Sequence, residues 1–262
     1  MAASDSSDEK ISLLQDIYLS VVFLTRLPAP GWPAATARKL SSGMWAFPVV
    51  GVLVATIAGL VYAVCDAIGL PVYISALFAV VALIITTGGL HEDGLSDLAD
   101  GIWGAATPSK RLEIMSDSRI GAFGAIALIV SVAGRAAAIA SIGQPLFVLG
   151  AIVAAAAVSR ATMPLLISFG RPAKPGGLGA TAGKPSAGVW GCAFLLAAVI
   201  AAIASPAGWL QCLVAAAAGA ALIAWFARRN LGGYTGDVLG AAQQVAELFA
   251  LTIIASFIAE AG

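Results

Sequence analysis

Six of the fourteen acidic residues of this 262-residue chain, and its only histidine, fall within 88–124. Asp93, Asp97 and Asp100 stand at i, i+4 and i+7. In a helix they would lie within about 60° of one another around the axis and spread over roughly 10 Å. Like charges this close repel, so the arrangement is unfavourable unless some carboxyls stay protonated or a cation lies between them. All-carboxylate ligation without cysteine suits Mg²⁺ or Mn²⁺, and Mg²⁺ usually binds through a few carboxylates together with substrate phosphates. Most acidic runs are solvated loops with helix caps. Here Gly94 and Gly101 beside the acids, Arg111 and Arg119 beyond them, and apolar segments on both sides favour a phosphate site. Glu113 and Asp117 form a second i, i+4 acidic pair and read as the other half of the same site.

A second polar stretch, RRNLGGYTGDVLGAAQQVAE at 228–247, places Asp237, Gln244 and Glu247 at i, i+7 and i+10 on an otherwise apolar segment. Polar groups are expensive in lipid unless they face protein, so this stripe should point into a helix bundle. Asp237 also suits the N-cap of that helix. Arg135 and Arg160 lie within apolar segments, where an ionisable group usually faces a polar interior or a partner. A structural ion pair or a snorkelling role suits Arg135, and Arg160 lies nearer the cytoplasmic end, where it could join the site. The stretch 169–186 resembles a phosphate loop only superficially, because Gly179 to Gly183 is one residue too short and Pro185 follows the lysine.

The elements that must position these groups are membrane helices. At 60% hydrophobic and 11% charged residues, the composition lies far outside that of soluble domains. Seven runs approach the roughly 20 apolar residues a spanning helix needs: near 43–65, 72–90, 120–142, 146–168, 188–204, 209–227 and 238–259. The expected fold class is an all-α integral membrane protein with about seven transmembrane helices. An N-terminal arm, 1–42, precedes a polytopic domain, 43–262, whose 88–124 segment is the catalytic loop. Within the arm, Leu14, Ile17, Tyr18, Val21 and Leu24 lie apart from Asp16 and Ser20, which predicts an amphipathic helix at the interface. Thr25 and Arg26 close it, and 31–42 reads as a Gly/Pro-containing linker.

Twelve of the fourteen Lys and Arg residues sit on alternate connections. Positive-inside counting then puts the N-terminus and the acidic segment in the cytoplasm and the C-terminus outside. The polar, acidic start lacks the basic region of a cleaved signal peptide. Cys65, Cys192 and Cys212 are scattered, without zinc or disulfide spacing. Zero net charge gives no sign of nucleic-acid binding.

Together these pieces resemble the cobalamin synthase family, the adenosylcobinamide-GDP ribazoletransferases. The matching stretches are FLTRLP at 23–28, FPVVG at 47–51, GGLHEDGLSDLADG at 88–101, RLEIMSDSRIGAFG at 111–124, Ser159-Arg160 and LGGYTGDVLGAA at 231–242. They occur in the family's order across nearly the whole chain. Glu92 departs from the pattern, since leucine is common there.

The resemblance implies a Mg²⁺-dependent enzyme of the bacterial inner membrane. In that reaction the 3′-hydroxyl of α-ribazole, or of its 5′-phosphate, attacks the phosphoryl on the cobinamide side of adenosylcobinamide-GDP, and GMP leaves. Asp93 and Asp97 would be metal ligands, with Asp100, Asp117 or Glu113 completing the site. Arg26, Arg111, Arg119, Arg160, Thr235, Asp237, Gln244 and Glu247 would contact phosphate or substrate, and His91 or an acid would be the general base. Homo-oligomers or association with other corrinoid enzymes are compatible with this reading.

Two other readings compete. A CDP-alcohol phosphotransferase would perform analogous chemistry, but its D-G-x-x-A-R opening would need Ala-Arg where this chain has Asp97 and Leu98. A transporter would also use seven spans and buried arginines, but transporter sites usually lie at the midplane, and here the polar residues gather toward one face.

Overall fold

The computed structural model describes residues 2–29, 39–174, 177 and 182–261, with side chains between 13 and 258 of these. Arg38, most of the expected linker, and 175–176 and 178–181 of the second basic loop lie outside the described residues.

The described chain is helical. In order come α1 (Ala2–Leu24), α2 (Leu40–Gly43), a 3₁₀ turn (Met44–Ala46), α3 (Phe47–Ala67), α4 (Val72–Thr87), α5 (Leu90–Gly104) and α6 (Pro108–Ile114). There follow α7 (Ala122–Ile142), α8 (Pro145–Phe169), α9 (Ala187–Ala204), α10 (Trp209–Leu231) and α11 (Gly236–Ala261). Prolines open α3, α6 and α8, where the missing N–H would have had no helical partner.

Six helical segments are long and apolar enough to cross a membrane, and α4 with α5, bent by 92°, makes a seventh if the pair is counted as one broken span. The protein is therefore a multi-pass membrane protein, as its apolar runs predict. The acidic stretch is built as the helices α5 and α6 rather than as an open loop.

Two helices are central. In α8 and α11, 72% of the most apolar window is buried, against 17% in α9 and 28% in α7. Small residues make this packing close. A Cβ on Gly51 of α3 would stand 2.5 Å from the Ala156 carbonyl oxygen of α8, so glycine is required for these backbones to approach. Outward-facing residues such as Leu60, Ile129, Leu195 and Ile203 are exposed and apolar, as a lipid-facing surface requires.

The N-terminal helix is two-sided, as its spacing predicts, and packs on the start of α3 and the turn before it. Its polar residues form the side that packs on protein: Asp16 and Ser20 are buried, Trp45 Nε1 donates to Asp16 Oδ2 at 3.0 Å, and Ser20 donates to the Gly43 carbonyl at 2.9 Å. Leu13, Leu14 and Val22 face outward. In lipid the polar side of a helix turns toward the protein, the reverse of its preference in water.

The bend between α4 and α5 is what delivers the acids. Gly88 and Gly89 both take left-handed φ, 67° and 70°, a pair of conformations that glycine adopts without penalty. The turn also leaves no room at Gly88, where a Cβ would collide with the Arg26 side chain. The Arg26 amide donates to the Thr86 carbonyl at 2.8 Å and ties the end of α1 to the bend.

Candidate active site

Where α5 crosses the start of α11, the backbones nearly touch. A Cβ on Gly94 would lie 2.7 Å from the Asp237 carbonyl oxygen, and one on Gly240 would lie 3.2 Å from the His91 Cα. This crossing sets the acidic face of α5 beside Asp237. Asp97 lies within the electrostatic reach of Asp93, Asp237 and Asp100. Asp93 and Asp237 also line one small cavity of about 150 Å³, closed by Phe23, Phe47 and Met163. Asp93 is exposed, and Asp97 and Asp237 are half-buried. Sequence reading placed Asp237 among substrate contacts; the fold adds it to the carboxylate group itself. Thr235 caps α11, accepting from the Val238 amide at 3.3 Å, while its hydroxyl donates to Asp237 Oδ2 at 3.1 Å.

Lys174, which the sequence did not single out as a site residue, faces Asp237 electrostatically and donates to the Ser116 hydroxyl at 3.1 Å. It is carried there by backbone hydrogen bonds between 171–173 and Tyr234, including Tyr234 N to Arg171 O at 2.9 Å and Ala173 N to Tyr234 O at 2.8 Å. The signal for it was its place in the stretch 169–186, one of the connections that carry the basic residues.

The other predicted residues divide by geometry. Asp100 is buried and occupied: its two oxygens accept from the Gly121 amide at 2.7 Å and the Gly124 amide at 2.9 Å. These are unpaired N–H groups at the start of α7, so Asp100 caps that helix. A Cβ at either glycine would collide with the carboxylate. Asp117 and Glu113 are held in exposed ion pairs, with Arg119 at 2.6 Å and Lys110 at 2.6 Å. The Arg119 guanidinium holds the Asp117 carboxyl below its usual range. Arg111 donates to the carbonyls of Ala105 at 2.9 Å and Asn230 at 3.1 Å, fastening α6 to the end of α10.

Deeper in the bundle, a charge network accounts for the stripe on α11 and for both intramembrane arginines. Arg135 reaches Glu92 at 3.0 Å and Glu247 at 3.2 Å, and Arg160 reaches Glu247 at 3.3 Å. Gln243 donates to Glu247 at 2.6 Å and to Ser159 at 3.0 Å, and Ser131 donates to Gln244 at 3.1 Å. All are buried. Arg160 and Glu247, expected at the substrate, are paired with each other here, and Gln244, also expected there, bonds to Ser131 and Gln243; two guanidinium groups in lipid need two carboxylates. Glu92 supplies the second. His91 is buried beside this network, and its Nε2 has no hydrogen-bond partner among the described residues.

The donor set at the α5–α11 crossing is all oxygen and carries more negative charge than Lys174 offsets, which fits a hard divalent cation. Among the described residues, no three His, Cys, Asp or Glu side chains are gathered tightly enough to hold an ion alone. An ion here would draw its remaining oxygens from a bound phosphate, as Mg²⁺ commonly does.

The sequence model of the cobalamin-5-phosphate synthase family matches residues 16–255. The chain belongs to this family. It is 38% identical over 247 residues to the adenosylcobinamide-GDP ribazoletransferase of Bradyrhizobium diazoefficiens, covering 94% of this chain and 95% of the relative. It is 38% identical over 241 residues to the protein of that name from Mesorhizobium japonicum, covering 92% and 93%. The Brucella ovis protein of that name is 39% identical over 253 residues, covering 93% and 97%. No solved structure matches the chain.

Proposed function

We propose that this chain is an adenosylcobinamide-GDP ribazoletransferase whose chemistry takes place where α5 crosses α11. The substrates are adenosylcobinamide-GDP and α-ribazole or its 5′-phosphate; the products are adenosylcobalamin or its 5′-phosphate, and GMP. The observation that carries this is the convergence of Asp93, Asp97 and Asp237 through the Gly94 crossing, in a chain that matches the family over 16–255.

Two carboxylates from among Asp93, Asp97 and Asp237, together with oxygens of the bound pyrophosphate, would hold Mg²⁺ or Mn²⁺. Such an ion would supply positive charge to offset that developing on the attacking and leaving oxygens. The ribazole 3′-oxygen bonds to the phosphorus on the cobinamide side, the bond from that phosphorus to the GMP oxygen breaks, and the hydroxyl proton passes to a carboxylate of the cluster. Lys174 and Arg26, at the rim, contribute positive charge to the phosphates.

The cavity of about 150 Å³ is smaller than the roughly 300–1,000 Å³ of ordinary ligand pockets. The corrinoid therefore stays outside, at the exposed edge where Asp93 lies. Asp100 and Arg111 position α5 and α6, and the Glu92–Arg135–Glu247–Arg160 network anchors the start of α5 in the bundle. The acidic end faces the cytoplasm of a bacterial inner membrane, in agreement with the distribution of basic residues.

The test is to incubate purified protein with adenosylcobinamide-GDP and α-ribazole 5′-phosphate and to measure GMP and corrinoid product, with Mg²⁺ and then with chelator. Mg²⁺-dependent formation of both supports the proposal. Absence of both, with folded protein, overturns it.

A further inference from the structure

A cavity of about 590 Å³ opens between the ends of α8 and α10, apart from the carboxylates. Its walls differ sharply in chemistry. Leu165, Leu166, Ala224 and Ala227 form an apolar slot between two membrane-spanning helices, and Arg171 and Arg228 stand at its mouth. No acidic residue lines it. Both arginines are exposed, and among the described residues neither is paired with a carboxylate. Arg171 is nevertheless tethered, since its Nε donates to the Gly232 carbonyl at 2.8 Å, a bond that does not use its terminal nitrogens. Trp225 on the slot's edge is held under the Arg229 guanidinium, 5.6 Å from the ring centre.

An occupant must be apolar at one end and anionic at the other. A soluble nucleotide fits less well, because the polar side chains of the lining are those of Arg171, Arg228, Trp225 and Tyr234, while Leu165, Leu166, Ala224 and Ala227 give a base no hydrogen-bonding partner and desolvating polar ring edges against them is costly. An acyl chain meets no such cost. A basic opening at the ends of two helices of membrane-spanning length suits an anionic lipid phosphate.

We propose that this slot binds one acyl chain of an anionic phospholipid, with its phosphate between Arg171 and Arg228. The occupied site includes the Gly232–Tyr234 turn in its wall, and the same turn is hydrogen-bonded to 171–173 and leads into Asp237. A lipid there braces the loop that carries Lys174.

The test reads binding rather than turnover, so its outcome is independent of the proposed reaction. The full chain in detergent is titrated with an equimolar mixture of phosphatidylglycerol and phosphatidylcholine bearing identical acyl chains, and retained lipid is read by native mass spectrometry. Phosphatidylglycerol should be preferred about 30-fold, at roughly fivefold per basic side chain. The double substitution Arg171→Gln/Arg228→Gln should abolish the preference, and Lys110→Gln, outside the slot, should leave it intact. Ala224→Trp, which fills the slot and keeps both arginines, should also remove the retained lipid.

Equal retention of both lipids by the unaltered chain would overturn the proposal. So would displacement of the lipid by millimolar inorganic phosphate, which would mark a simple anion site. Protection of the slot by α-ribazole 5′-phosphate in place of lipid would overturn it in favour of a substrate pocket.

Discussion

Gly94 packs against the backbone of Asp237 so closely that a single added methyl would come within 2.7 Å of its carbonyl oxygen. Through this one contact the aspartates of α5 share a site with an aspartate more than a hundred residues away. Gly94→Ala must push the two helices apart. We expect a stability loss of about 1–3 kcal/mol and a fall in kcat/KM of about 100-fold, the scale of an ångström's misplacement of catalytic groups. Thermal unfolding in detergent and GMP release measure the two effects separately. An unchanged kcat/KM would show that the crossing does not set the site.

Asp100 and Asp97 share a helix and differ in what they touch. Asp100→Ala removes the acceptor for two amides of α7 and should cost about 1–2 kcal/mol, as cap removal does. Asp100→Asn keeps one acceptor oxygen and should fall between the alanine variant and the wild type. If Asp100→Asn unfolds like wild type yet loses all Mg²⁺-dependent turnover, Asp100 is a metal ligand and the capping account is wrong.

The buried network is charge-balanced, with Arg135 and Arg160 against Glu92 and Glu247. Arg135→Met alone leaves two carboxylates with one guanidinium and should destabilise by about 3–5 kcal/mol. Adding Glu92→Leu restores the balance, so the double variant should recover more than half of that loss. Denaturation of the two variants side by side decides it; a double variant no better than the single one would contradict charge balance as the organising constraint.

Asp117 and Arg119 make an exposed pair, and Arg119→Ala should raise the Asp117 carboxyl toward its ordinary value of about 3.9. Because the pairing lowers that pKa, its contribution to stability is present above the ordinary carboxylate range and is lost as pH falls through the depressed value. At neutral pH Arg119→Ala should lower the unfolding midpoint only slightly, since an exposed pair contributes little, and the difference from wild type should vanish at acid pH. A fall in activity without such a shift would assign Arg119 to substrate phosphate.

The spans were legible because apolar runs of membrane length are interrupted by charge and glycine. The carboxylate face was legible from helical spacing, and the inward stripe on α11 from the cost of polar groups in lipid. The role of Asp100 was not, since its partners are backbone amides 21 and 24 residues downstream and spacing alone makes it equivalent to Asp97. The 92° bend was hidden in Gly88-Gly89, which reads equally as a loop. The two-sidedness of α1 was legible, but amphipathicity marks a polar side without saying whether water or protein receives it. The pairing of Arg160 with Glu247 depends on which helices are neighbours, and local sequence does not carry that.

The most direct test is the rate of GMP release by Asp97→Asn beside wild type, at saturating adenosylcobinamide-GDP and α-ribazole 5′-phosphate across a Mg²⁺ titration. The substitution keeps the side chain's size and removes its charge. A fall in kcat of at least about 100-fold, on the scale of several kcal/mol of lost charge stabilisation, with an unchanged unfolding midpoint, is the predicted result. Turnover near wild type at every Mg²⁺ concentration would contradict the placement of the reaction at the α5–α11 crossing.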